Sequence, residues 1–359
     1  RMNKRRLKKA FKRLNNLPGG RYFFYYLTNK IKEAYYRFSN STLVAYPSTV
    51  MLELNNHCNL RCTTCPREYD FGKSMDKGYL KVDEAKKIIN ELWMYLDSVG
   101  LTGMGETFLS KDIEEIVDYI KEKNKGIIIS LSTNAVLPGF IEKAAKLINK
   151  VDTIQVSIDG LDEVYESIRI NAKFPMLHNN LKQLTELCTN TDTVIMLNMV
   201  VTKENYIQLD KMVEHASRNK IKHVNFALFN LAAVTDIDVD YYKFYRSPEF
   251  LHEWEKLQLA IRRFPDVEVS TWDHKSKNEF QKCKFPWGHF YICWDGYVAP
   301  CCAKPFPKEL NFGNVFDTGV LNTLNSKSFR AFRKLWYKNK PHQFCKKCHY
   351  LELEPFELS

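Results

Sequence analysis

No run of about 18 apolar residues occurs in the sequence, so no segment predicts a membrane-spanning helix. The opening residues also lack the apolar core and small-residue cleavage site of a secretory signal. Acids are almost missing from residues 1–40, where Glu33 alone stands against 12 Lys or Arg; the other 319 residues carry 41 charges of each sign and cancel. The formal charge of +11 thus belongs to a basic leader on an otherwise neutral protein. A neutral remainder offers no long basic groove, so specific nucleic-acid binding is not expected. The expected location is cytoplasmic, with peripheral contact at the inner membrane surface, or with an anionic carrier, through residues 1–40. With 45% hydrophobic and 26% charged residues, the chain has the material for a substantial core, which excludes disorder throughout. Ten cysteines in 359 residues are too thinly spread for a secreted disulfide scaffold.

Those cysteines are grouped. Cys58, Cys62 and Cys65 form one knot, Cys283, Cys293, Cys301, Cys302, Cys345 and Cys348 gather near the other end, and Cys188 stands alone. Clustered thiols in a cytosolic chain point to metal or redox chemistry. Between residues 49 and 229, β-branched runs alternate with amphipathic ones. The runs 49–54, 98–102, 127–132, 153–158, 193–201 and 223–228 predict strands; 82–93, 111–123, 139–148, 179–188 and 204–218 predict helices. Strict alternation implies a parallel sheet with right-handed crossovers and functional loops at the carboxyl ends of the strands. The fold class expected is α/β, a partial (β/α)6 TIM-like barrel with a small C-terminal domain. Residues 1–48 form a basic amphipathic extension, 49–230 the barrel, 231–282 a connector with a helix over 248–263 and a strand over 267–270, and 283–359 the small domain. There Asp295-Gly296 marks a hairpin between 290–294 and 297–300.

The first knot, Cys58-Asn-Leu-Arg-Cys62-Thr-Thr-Cys65, follows the first predicted strand and so sits at the functional rim. Three thiolates can hold three corners of a [4Fe–4S] cube, leaving one iron open, whereas a closed zinc site wants four ligands. Zinc with His57 as the fourth ligand is the alternative. The spacing Cys-x3-Cys-x2-Cys in this context resembles the signature of the radical S-adenosylmethionine (SAM) superfamily, and the resemblance extends from about Thr49 to Tyr350. It implies a SAM-binding [4Fe–4S] cluster on Cys58, Cys62 and Cys65. Gly103-Met104-Gly105-Glu106 is similar to the family's glycine and glutamate motif, which receives the SAM amino group. Ser132 and Asn134 match its ribose-contacting position, Ser157 ends strand four where polar contacts to SAM recur, and Arg169 matches a partner for the SAM carboxylate. Thr64 stands where the family often has an aromatic residue, so no adenine-stacking residue is assigned. The activity implied is reductive cleavage of SAM to a 5′-deoxyadenosyl radical that abstracts a substrate hydrogen, with the electron coming from a flavodoxin- or ferredoxin-type donor.

In the second group, Cys283, Cys301, Cys345 and Cys348 suit a fully ligated [4Fe–4S] cluster or a structural zinc. The arrangement resembles the SPASM and Twitch extensions of radical SAM enzymes, and six cysteines favour the single-cluster Twitch form, with Cys293 and Cys302 as spares. The resemblance implies a second, auxiliary cluster that accepts an electron and hence a net oxidation. Tyr291, His289 and Arg169 are the candidates for the accompanying base. The leading expectation is a radical SAM oxidoreductase that dehydrogenates a hydroxylated small molecule or carrier-linked sugar. A peptide-modifying maturase (cross-link, thioether or epimer) and a zinc-stapled binding module are the alternatives. In the leader, Leu7, Phe11 and Leu14 follow helical spacing, as a membrane-surface helix or one packing its apolar stripe on the barrel would.

Overall fold

The computed structural model describes residues 16–272 and 283–352. Residues Leu7, Phe11 and Leu14 of the leader lie outside the described residues. Gly20, at φ 56°, opens helix α1 (Arg21–Phe38). Six parallel strands then form where the β-branched runs stand: β1 (Thr49–Leu52), β2 (Ser98–Leu101), β3 (Ile128–Thr133), β4 (Thr153–Ser157), β5 (Val194–Val201) and β6 (His223–Leu228). The crossovers carry α2 (Val82–Leu92), α3 (Ile113–Lys123), α4 (Phe140–Ala145), α5 (Asp162–Ile168), α6 (Phe174–Leu187) and α7 (Leu209–Arg218). Helix α6 starts five residues earlier than expected: Phe174 and Leu177 already belong to its buried stripe, and Pro175 sits in its first turn, where the missing N–H costs nothing. The stretch after β6 adds α8 (Pro248–Arg263), capped by Ser247, and a further parallel strand β7 (Glu268–Ser270) on β6.

The hairpin of the C-terminal segment, β8 (Phe290–Ile292) and β9 (Val298–Ala299), turns at Gly296 with φ 85° and does not stand apart from the barrel. Strand β8 pairs in parallel with β1, Val50 opposite Phe290, so one nine-stranded sheet runs β9-β8-β1-β2-β3-β4-β5-β6-β7. Helix α9 (Lys327–Tyr337), capped by the Ser326 side chain, then buries Phe329, Phe332, Arg333 and Trp336. The Arg333 guanidinium donates to the backbone oxygens of Pro286, Thr42 and Leu324 and stacks 3.9 Å over Phe329, which ties the segment before β1 to the C-terminal domain.

Alternation sorts the strand residues. Leu52, Val99, Leu101, Leu131, Ile154, Val156, Leu197 and Val224 are buried in the main apolar core, while the intervening positions make a polar lining: Thr49 and Ser98, Thr102 and Ser132, Asn198 and Asn225, each pair hydrogen bonded across neighbouring strands. Among the described residues no helix is long and apolar enough to cross a membrane.

Candidate active site

Loops at the carboxyl ends of β1 and β2 build the first cysteine site together. The Asn55 side chain accepts the His57 N–H (2.9 Å) and donates to the Glu106 carbonyl (3.0 Å), and the Glu106 N–H returns to the His57 carbonyl (2.7 Å). The turn 103–106 is pressed so close that a Cβ on Gly105 would lie 2.5 Å from His57 O, and one on Gly103 2.4 Å from Glu53 Cγ. Only glycine permits that approach. The Glu106 carboxylate is buried and accepts from Thr133 Oγ1 (2.7 Å), Asn134 N (2.7 Å) and Phe108 N (3.1 Å), so most of its acceptor capacity is spent inside the protein.

Cys62 lies on a two-residue ribbon, Arg61–Cys62 against Arg169–Ile170, directly opposite Arg169. Arg169 Nη1 points at Cys62 Sγ (3.8 Å), while Leu60 N (3.4 Å) and Asn134 Nδ2 (3.8 Å) point at Cys58 Sγ. Asn134 also donates to Asn59 Oδ1 (2.8 Å), so its amide steadies the cysteine loop. Burial pushes all three thiols up, Cys62 to about 12 against the pull of Arg169. Three free, half-buried thiols, each beside an N–H donor (for Cys65 the backbone N–H of Arg67), form a donor set suited to a cluster gripped at three corners, whose positive irons supply what the thiolates need. His57, the alternative zinc ligand, instead stacks its ring on Tyr79 at 4.6 Å, and among the described residues no three His, Cys, Asp or Glu side chains gather on one metal ion.

Of the other sequence-selected residues, Ser132 and Ser157 sit on the polar lining at the ends of β3 and β4. Arg169 is held by Asp159, itself fully buried, through a 2.8 Å ion pair. Burial opposes the guanidinium's charge, but Asp159 and Cys62 outweigh it and raise its pKa. Its Nε is buried beside the cysteine loop with no hydrogen-bond partner. His289 does not reach the rim: it precedes β8, level with the start of β1, and borders a cavity of about 500 Å³ at the amino ends of the strands.

The second cysteine group surrounds a cavity of about 380 Å³ next to the polar lining at Asn225 and Ala227. Cys283, Cys301, Cys345 and Cys348 border it, and so does Cys302. Cys293 lies elsewhere, buried in a small cluster with Tyr291 and Ala299. Cys302 is thus the spare that shares the cavity. Burial raises the thiols here as well, Cys345 and Cys302 to about 12. Lys304, which nothing in the spacing singles out, is buried beside them; its ammonium donates to the Phe344 carbonyl and lies 4.5 Å from that ring. Burial lowers its pKa, opposed by Cys345, Cys348 and Cys301.

Sequence reasoning also missed Glu53. This acid closes an apolar strand, a detectable signal, but its partners are remote: Tyr291 Oη donates to it at 2.8 Å, Met104 N at 2.8 Å and Trp294 N at 3.3 Å. Burial lifts its carboxyl from 4.5 to about 7 despite those donors. A raised acid makes the folded state bind the extra proton, so its contribution is full below 4.5 and is lost as pH rises through 7. Chemical denaturation under anoxia is expected to show stability falling between pH 5 and 8 more steeply in the wild type than in Glu53→Gln; identical slopes would refute it.

Comparison with known families agrees with this geometry. The radical SAM superfamily model matches residues 52–216 and the iron-sulfur cluster-binding (SPASM) domain model matches residues 283–349. The chain is therefore a radical SAM superfamily protein with a SPASM-type auxiliary-cluster domain, an enzyme whose cofactors are [4Fe–4S] clusters and SAM. It is 23% identical over 322 residues to the antilisterial bacteriocin subtilosin biosynthesis protein AlbA of Bacillus subtilis (86% of this chain, 66% of the relative). It is 30% identical over 174 residues to the mycofactocin maturase MftC of Mycobacterium tuberculosis (48% and 42%). The chain thus spans less than two thirds of the length of the curated relatives it matches first. In fold it is similar to Streptococcus suis SuiB, solved with S-adenosylmethionine (TM-score 0.62, 16% identity, 89% of this chain and 72% of SuiB) and with the precursor peptide SuiA (TM-score 0.63, 18% identity, 89% and 73%).

Proposed function

We propose that this chain carries out a net oxidation of a peptide substrate, started by hydrogen abstraction in the lumen and completed by electron transfer to the auxiliary site. The observation that carries the reading is the cavity ringed by Cys283, Cys301, Cys345 and Cys348, which borders the luminal residues Asn225 and Ala227 of β6. An electron acceptor there lies against the substrate space. The peptide class rests on the maturase and bacteriocin names of its relatives and on the precursor peptide bound by SuiB.

In this reading Cys58, Cys62 and Cys65 would hold a [4Fe–4S] cluster, which with bound SAM would supply the hydrogen-abstracting radical. The chain's own residues do the rest. The turn Gly103 to Gly105, packed on Glu53 and the His57 backbone, would offer its own backbone to the SAM amino group, Ser132 and Ser157 face it from the lining, and Asn134 steadies the loop that carries Cys58. Glu106 fixes the turn from beneath. The unpartnered Nε of Arg169 is the donor for the SAM carboxylate, with Asp159 balancing its charge. Cys283, Cys301, Cys345 and Cys348 would hold the auxiliary cluster, beside which Lys304 places its ammonium. A flavodoxin- or ferredoxin-type protein is the proposed electron donor.

A second reading, dehydrogenation of a hydroxylated small molecule or carrier-linked sugar, is favoured by the polar lining of Thr102, Ser132, Asn198 and Asn225, which can hydrogen bond a hydroxyl-rich ligand. Anaerobic reconstitution is expected to give about eight irons and eight sulfides per chain and SAM-derived 5′-deoxyadenosine. Deuterium from a labelled short peptide, one encoded beside the gene, should then appear in the 5′-deoxyadenosine. Transfer from sugars or cyclitols and from no peptide would overturn the first reading in favour of the second.

A further inference from the structure

Helix α1 is mounted inside out for a surface helix of a globular protein. Its polar side faces the barrel: the Asn29 amide bonds both the N–H and the carbonyl of Tyr46, Lys30 pairs with Asp97 (2.6 Å) and Ser48 Oγ (2.6 Å), and Tyr26 Oη donates to Asp97 (3.0 Å). Outward it shows Phe24, Leu27, Ile31, Tyr35 and Phe38, which are 67%, 44%, 60%, 65% and 86% exposed. At 3.6 residues per turn these five fall within about 80° of arc, one continuous stripe. Arg21 and Lys32, both exposed, flank it on one side. Scattered exposed apolar residues need no explanation, but five in line on a helix anchored by its opposite, polar face mark a surface built to be covered.

We infer that this stripe is a membrane-surface anchor, seated in the interface of a bilayer rich in anionic lipid. Charge selects the occupant. Residues 1–40 carry 12 cations and one acid, eight of those cations before residue 16, whereas the remaining chain is neutral. A cationic segment beside an outward stripe of Phe, Tyr, Leu and Ile has the composition of a helix lying in the headgroup boundary: the aromatics sit at that depth, and Lys and Arg reach anionic headgroups. Ser48 and Asp97, where α1 is fastened, precede β1 and β2, whereas the cysteine loop follows β1. The anchor is thus at the end of the barrel opposite the reactive rim, so docking leaves the rim free. The inference is independent of which substrate the enzyme takes.

Co-sedimentation of the reconstituted full chain with vesicles tests it. Vesicles of phosphatidylcholine with about 30% phosphatidylglycerol should bind it at least about tenfold better than pure phosphatidylcholine, and about 0.5 M salt should weaken that binding. The triple variant Phe24→Gln, Ile31→Gln, Phe38→Gln keeps good helix formers in the helix and should bind about tenfold less or worse, with SAM cleavage unchanged. Leu259→Gln, which removes an exposed leucine on α8 (62% exposed), should bind like the wild type. Equal binding to neutral vesicles, no binding to anionic ones, or equal loss in the Leu259 variant would overturn the inference. So would self-association of the wild type that the triple variant abolishes while vesicle binding stays the same, since the stripe would then cover a second copy of the chain.

Discussion

Cys62→Ala is expected to reduce SAM cleavage to background, whereas Cys345→Ala keeps at least about a tenth of it and loses net product. The asymmetry follows from where the thiols stand. Cys62 is on the ribbon facing Arg169, one of three thiols on a single loop, and two thiols cannot hold a cluster that is already short of one ligand. Cys345 borders the separate cavity beside β6, whereas the scaffold of the first loop is built from Asn55, Glu106 and Asn134. Quantifying 5′-deoxyadenosine and product in parallel separates the two roles. Equal loss of both activities in the Cys345 variant would show that the auxiliary site only supports the fold.

Arg169→Ala is expected to cost about 3–5 kcal/mol of stability, because it strands Asp159 as an unpaired buried charge. Asp159 is 0% exposed, and its other oxygen accepts the Val200 N–H at 2.8 Å, which holds the carboxylate in place as its cation leaves. The ribbon that presents Cys62 pairs directly with Arg169, so iron retention should fall together with stability. Anaerobic denaturant titration of the reconstituted variant measures this. A loss below about 1 kcal/mol would mean that the ion pair contributes little to the fold and that Arg169 serves only the ligand.

The barrel and the first cysteine site were legible because their signals are local. Six β-branched runs and the spacing of Cys58, Cys62 and Cys65 lie within short windows, and the polar residues at the ends of β3 and β4 follow from strand alternation. Contacts between distant parts of the chain were not legible. Glu53 meets Tyr291 across most of the chain, and nothing in the hairpin's own residues shows that β8 will pair with β1. The same pairing explains why His289 was misplaced: a parallel strand puts the residue before it at the amino end of the sheet, away from the rim. Helix α1 was obscured differently. Its apolar residues are periodic, as they would be in any packed helix, and only the bonds of Asn29 and Lys30 reveal which side faces the protein. Helix α9 went unread in the sequence although its signals are local, a cap at Ser326 and the apolar period of Phe329, Phe332 and Trp336.

The shared sheet sets a limit on dissecting the enzyme. Cutting the chain ahead of Cys283 would strip β1 of one neighbour from Val50 to Leu52 and bare the backbone amides and carbonyls that Phe290 to Ile292 now satisfy. Such a fragment would offer a sticky flank to any other chain, and its aggregation would report that raw border and not the worth of the second iron–sulfur site.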